Sequence, residues 1–134
     1  MANAIYPKYK QSIISGGSNV DMSAGTVKVA MVDTGTYTYS SSDQYYSSVS
    51  SAVVGTPAAL SSKTFTNGTF DAADVTFTAV SGSSVEALVI YVDSGSSATS
   101  PLVAYIDTNA SGLPLTPNGG NVTLTWNASG IFTL

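Results

Sequence analysis

Glu86-Ala87-Leu88-Val89-Ile90-Tyr91-Val92-Asp93 is apolar at odd and even positions alike between its two acidic ends. That pattern marks a short central strand buried on both faces. Pro101-Leu102-Val103-Ala104-Tyr105-Ile106-Asp107 repeats it after a Ser/Gly turn and is the natural antiparallel neighbour. Upstream, Thr26-Val27-Lys28-Val29-Ala30-Met31-Val32-Asp33 places Val27, Val29 and Met31 on one face. Thr36-Tyr37-Thr38-Tyr39 alternates cleanly, and Asp33-Thr34-Gly35 between them reads as the turn of a hairpin.

The remaining segments fit the same class. Residues 43–51 read as one or two helical turns capped by Ser41 or Ser42, and Pro57 marks a break. Asn67-Gly68 between Lys63-Thr64-Phe65-Thr66 and Thr69-Phe70 is a tight-turn signal, because both types tolerate positive φ. Val75, Phe77 and Ala79 face one way while Thr76 and Thr78 face the other. Val122, Leu124 and Trp126 point inward, and residues 130–134 return as a terminal strand. Residues 4–15 read as the one helix: Pro7 suits a first turn, Ile5, Tyr9 and Ile13 make an apolar stripe, and Gly16-Gly17 ends it. The expectation is a mainly β chain, an antiparallel β-sandwich or jelly-roll-like barrel with one short N-terminal helix. Residues 1–17 form the helix or arm and residues 18–134 a single sandwich domain.

Composition narrows the function. The 134 residues suffice for one modest core. Only 9 % are charged, against 22 Ser and 16 Thr, so the polar surface is hydroxyl rather than ionic and costs little to desolvate. The four cations are Lys8, Lys10, Lys28 and Lys63, with a net charge of −4, so there is no basic face for nucleic acid. The absence of Cys and His removes disulfides, thiolate and imidazole catalysis and most zinc sites, and fits a cytosolic or virion protein. No export signal and no membrane-spanning run is read, so no membrane partner is expected.

Two chemistries are weighed on motifs. Met31-Val32-Asp33-Thr34-Gly35, Tyr91-Val92-Asp93-Ser94-Gly95 and Tyr105-Ile106-Asp107-Thr108-Asn109 share an apolar-apolar-Asp-hydroxyl-Gly/Asn pattern. An aspartic protease carries Asp-Thr/Ser-Gly twice, with two carboxylates sharing a proton. Turn chemistry, with each carboxylate capping its own turn, is the preferred reading. Asp71 with Asp74, or Asp107 with Asn109, lacks the ligand spacing of a calcium loop. No catalytic residue, cofactor or metal is therefore assigned. The candidate interface comprises Ile5, Tyr6, Tyr9 and Ile13 on the arm and Tyr37, Tyr39, Tyr45 and Tyr46, since tyrosine offers large contact area with a polar tip.

Four stretches carry a resemblance: Ala4-Ile5-Tyr6-Pro7-Lys8-Tyr9-Lys10, Val32-Asp33-Thr34-Gly35-Thr36-Tyr37-Thr38-Tyr39, residues 63–77, and Leu113-Pro114-Leu115-Thr116-Pro117-Asn118-Gly119-Gly120. Together they resemble a family of short tailed-bacteriophage virion structural proteins. The resemblance implies a head decoration, or cement, role: a non-enzymatic protein, made in the host cytoplasm and carried on the virion. It would self-associate, with a homotrimer favoured, and bridge major capsid protein subunits. A tail, neck or fibre-adaptor component, or a host-surface-binding module, is the alternative.

Overall fold

A computed structural model describes residues 3–107 and 113–134. The chain is mainly β and sandwich-like, with antiparallel pairing throughout. The strands are β1 (Ala4–Ile5), β2 (Thr26–Val32), β3 (Val53–Ala59), β4 (Thr69–Phe70), β5 (Val75–Phe77), β6 (Ala87–Asp93), β7 (Leu102–Ile106), β8 (Val122–Leu124) and β9 (Phe132–Thr133), with one helix, α1 (Pro7–Ser15). The large sheet runs β1-β7-β6-β2-β3, while β4 pairs β9 and β5 pairs β8 in two small sheets.

The apolar runs take the central positions, as their double-faced pattern requires: β6 is buried from Ala87 to Val92, and β7 along its whole length. Register sets Val89 beside Tyr105 and Ile90 beside Ala104. One face therefore carries Val89, Tyr91 and Tyr105, and the other Leu88, Ile90, Ala104 and Ile106. Tyr46 stacks on Tyr91 with ring centroids 4.0 Å apart, and Tyr39 lies 5.3 Å from Tyr105. Across the other face, Ile131 and Phe132 share a small cavity with Ala104 and Ile106.

Several expectations are corrected. The helix begins at Pro7, not at residue 4, because Tyr6 before the proline is held extended (φ −60°, ψ 125°). Ile5 consequently sits in β1, paired with Ala104, and does not continue a helical stripe with Tyr9 and Ile13. Gly16 ends α1 in the left-handed region at φ 72°. Residues 36–39 make no hairpin with β2, whose neighbours are β3 and β6. The Asp33 turn does form, with Thr36 and Tyr37 N–H donating to Asp33 O at 3.1 Å each. Beyond it the tyrosines pack onto the face of the sheet rather than extending its edge.

Pro57 does not end a strand. It lies within β3, an edge strand, where its missing N–H is tolerated. The ladder shifts there: Val29 faces Ala58 while Met31 faces Val54, and Gly55 takes φ 75° at the bulge. Asn67 and Gly68 do turn at φ 53° and 80°, but Thr69-Phe70 then pairs with β9, and the loop is closed by a Thr64–Asp71 bridge and by Ala73 N–H donating to Ser61 O at 2.9 Å. Residues 43–51 supply two short 3₁₀ turns, Tyr46–Ser48 and Ser50–Ala52, without a side-chain cap from Ser41 or Ser42. Ala79 is exposed at φ 49° and Val80 takes the inward place. Val122 is only half-buried, whereas Leu124 and Trp126 are buried as expected.

Candidate functional site

The candidate interface residues divide by burial. Tyr6, Tyr9 and Tyr37 lie in the chain's own core and offer a partner no area. Ile5, Tyr39, Tyr45 and Tyr46 are half-buried, and Ile13 is exposed. The structure brings Tyr6, Tyr37 and Tyr39 together around Tyr105, which the sequence marks only as a strand residue. Tyr37 donates its hydroxyl proton to Asp43 Oδ2 at 2.7 Å, so in the 2.9 Å Tyr6–Tyr37 contact Tyr6 must be the donor. This relay fastens the arm to the sheet. Tyr9 adds a second fastening through its hydroxyl to Val20 O at 2.7 Å. Tyr45 and Tyr46 lie apart from this cluster, beside Pro101 and Tyr91.

The exposed apolar side chains collect elsewhere. A groove of about 520 Å³ runs between α1 and the β4–β9 pair, lined by Ile13, Met22, Phe65, Phe70, Phe132 and Leu134 among others. Phe65 is 41 % and Leu134 57 % exposed, and Ile14, next to the groove residue Ile13, is 87 % exposed. Phe70 joins Phe65 to Phe132, with ring centroids 5.5 and 5.4 Å away. Large apolar groups left in water at one place mark contact surfaces better than the same groups scattered.

Lys63 braces one wall of the groove. Its ammonium donates to Met22 O and Gly25 O, both at 2.8 Å. Replacing it by methionine keeps the stem and removes both charged hydrogen bonds. Lys63→Met is therefore expected to cost about 1–2 kcal/mol in a urea titration, a part-exposed site discounting the full value of such bonds. An unchanged midpoint would mean that the 20–25 loop is held without it.

The Asp-hydroxyl-Gly motifs are turns. Asp33 Oδ1 accepts from Gly35 N–H and Asp93 Oδ1 from Gly95 N–H, each at 2.9 Å. Lys28 at 2.7 Å, with the Gly95 N–H, holds the Asp93 carboxyl below its usual range. Thr26 faces Asp93 in the β2–β6 ladder and Asp33 follows the other end of β2, so the two carboxylates lie roughly 20 Å apart. They do not form a protease pair within one chain. Asp71 Oδ1 accepts from Ala72 N–H and Asp74 Oδ1 from Trp126 N–H. Among the described residues no group of three or more Asp, Glu, His or Cys is placed to hold a metal ion, and Asn109 lies outside those residues. Among them, too, no helix is long and apolar enough to cross a membrane.

Sequence reading missed the groove because Ile13, Phe65 and Leu134 come from three distant segments. The nearest local signal was the aromatic pair Phe65 and Phe70 flanking Asn67-Gly68. No known protein family model matches the chain, and no curated protein matches it either.

Proposed function

We propose that the chain is a non-enzymatic structural subunit of a tailed-phage particle. It decorates the head and bridges major capsid protein subunits, taking an apolar segment of a capsid subunit into the groove between α1 and β4–β9. The observation that carries this reading is the concentration of Ile13, Phe65 and Leu134, three of the exposed large apolar side chains, along that one groove. The hydroxyl-rich, weakly charged sequence around it supports close packing against neighbours.

Magnitude supports many copies. Covering these part-exposed groups yields about 3–4 kcal/mol per chain, which alone is only millimolar affinity. Such a contact works when repeated, as in a homotrimer bridging several capsid subunits, where each further engagement is intramolecular. The clamp stabilises the shell because it binds the assembled state and not free subunits.

The test is copy number on purified particles, with wild type and Phe65→Ser compared. Phe65 is already part-exposed, so the variant folds. Hundreds of copies on the head, falling steeply for Phe65→Ser, are expected. A dozen or fewer copies would place the chain in the tail or neck. Full occupancy by the variant would remove the groove from the contact.

A further inference from the structure

Asn-Gly occurs twice, at Asn67-Gly68 and Asn118-Gly119, and both asparagines are exposed. The pair is chemically labile as well as turn-forming. A glycine after asparagine puts no Cβ in the way when its backbone nitrogen swings onto the asparagine side chain. Whether it swings depends on what holds the two groups apart, and the fold holds the two pairs differently.

Asn118-Gly119 is clamped. Asn118 Oδ1 accepts from Gly120 N–H at 2.9 Å, which fixes the carboxamide. Gly119 N–H donates to Val80 O at 2.7 Å, and Val80 N–H donates to Gly120 O at 2.9 Å. Val80 is a core residue, so the glycine N–H is committed to the interior. Asn67-Gly68 lacks such a clamp. Among the described residues the Asn67 carboxamide makes no hydrogen bond. Gly68 N–H reaches Phe65 O only at 3.3 Å, longer than an ordinary N–H···O bond. Asn67 sits in the left-handed region (φ 53°, ψ 35°), a conformation with some strain even for asparagine, and interrupts the 3₁₀ turn Thr66–Gly68. The remaining tie is Leu134 N–H donating to Gly68 O at 2.9 Å, beside the β4–β9 pair of two residues each. Opening so small a sheet breaks few contacts.

We propose that Asn67 is a site of spontaneous modification, converting to aspartate and isoaspartate in the folded chain, while Asn118 is protected by its clamp. Gly68 N loses its proton to solvent base and attacks Asn67 Cγ. The new N–Cγ bond closes a cyclic imide as the Cγ–Nδ2 bond breaks, and the side-chain nitrogen takes up a proton and leaves as ammonia. Water, the one co-reactant, then adds to either imide carbonyl. One opening gives aspartate; the other gives isoaspartate, whose main chain runs through the former side chain and is one carbon longer. Gly68, Phe65 and Leu134 all line the apolar groove, so the product sets a carboxylate at its rim. The modification itself does not depend on the particle role proposed above.

In the test, the full chain is kept in mildly alkaline buffer, either folded or unfolded in urea, and sampled over weeks. Chymotryptic cleavage after Phe65, Phe70, Leu115 and Leu124 separates the two pairs, and fragmentation in the mass spectrometer locates each change. In the folded chain Asn67 is expected to gain one mass unit and to yield both aspartate and isoaspartate forms. Asn118 should convert at least roughly tenfold more slowly, because the extra hydrogen bonds of its clamp must open first. In urea, where no clamp exists, the two rates should become comparable. Absence of isoaspartate at position 67 of the folded chain overturns the proposal. So do comparable rates at both positions in the folded chain, or the same preference for Asn67 persisting in urea.

Discussion

Tyr6→Ala is expected to lower the free energy of unfolding by about 3–5 kcal/mol, the range for deleting a fully buried aromatic ring. Tyr6 has no exposed surface. Its ring lies 5.2 Å from that of Tyr39, and its hydroxyl is the first donor of the relay through Tyr37 to Asp43. The backbone bond from Tyr6 N–H to Val103 O, at 2.9 Å, survives the change, so the loss reports the side chain alone. A domain of this size has about 5–15 kcal/mol in total, and the variant therefore spends much of it. Tyr6→Phe keeps the ring and removes one donor, leaving Tyr37 still bonded to Asp43, and should cost only about 1 kcal/mol. Urea titrations of both variants measure the difference. If Tyr6→Ala costs under about 1 kcal/mol, the arm is a detachable appendage and the core extends no further than the sheet.

The same contrast explains what could be read in advance. Strands β6 and β7 were legible because burial on both faces forces a continuous apolar run, a signal that needs no partner to be seen. The C-terminal end of the helix was legible from Gly16, a local backbone effect, but its start was not: the residue before Pro7 is held extended, so the helix opens at Pro7 and not at residue 4. Strand β3 was not, since an edge strand with a bulge carries Pro57 and Gly55 at no cost and so reads as a break. Tyr37 and Tyr39 alternate as a strand does, yet their rings cover a sheet face, an arrangement fixed by Tyr105 and Tyr6 from remote segments. The groove shares that difficulty, since Phe65 and Leu134 come together through the β4–β9 pairing. No periodicity encodes such meetings.

Alkaline pH is expected to unfold the chain cooperatively between about pH 11 and 12. The cause is the buried phenols. Burial, above all, raises the pKa of Tyr6, Tyr37 and Tyr91, and pushes that of Tyr9 up to about 12; nearby Asp43 adds to this at Tyr6 and Tyr37, and Asp21 at Tyr9. In the unfolded chain each titrates near pH 10. Below that pH both states hold the proton and the stabilisation is complete. Above it the unfolded state sheds protons that the folded state retains, so stability falls as pH rises, until the folded-state value is passed. Each such group contributes about 1.4 kcal/mol per pH unit, and four together about 5 kcal/mol per unit. One to two units above pH 10 thus consume an ordinary domain's stability. Far-ultraviolet circular dichroism and phenolate absorbance, followed together against pH, separate the possibilities. The more exposed phenols ionise first, and the buried set then appears in the same step as the loss of β-structure. Full phenolate absorbance near pH 10 with the dichroism still native would mean that solvent reaches Tyr6, Tyr9, Tyr37 and Tyr91. The tyrosine face would then not be dry, and the arm could not be held by the relay that ends on Asp43.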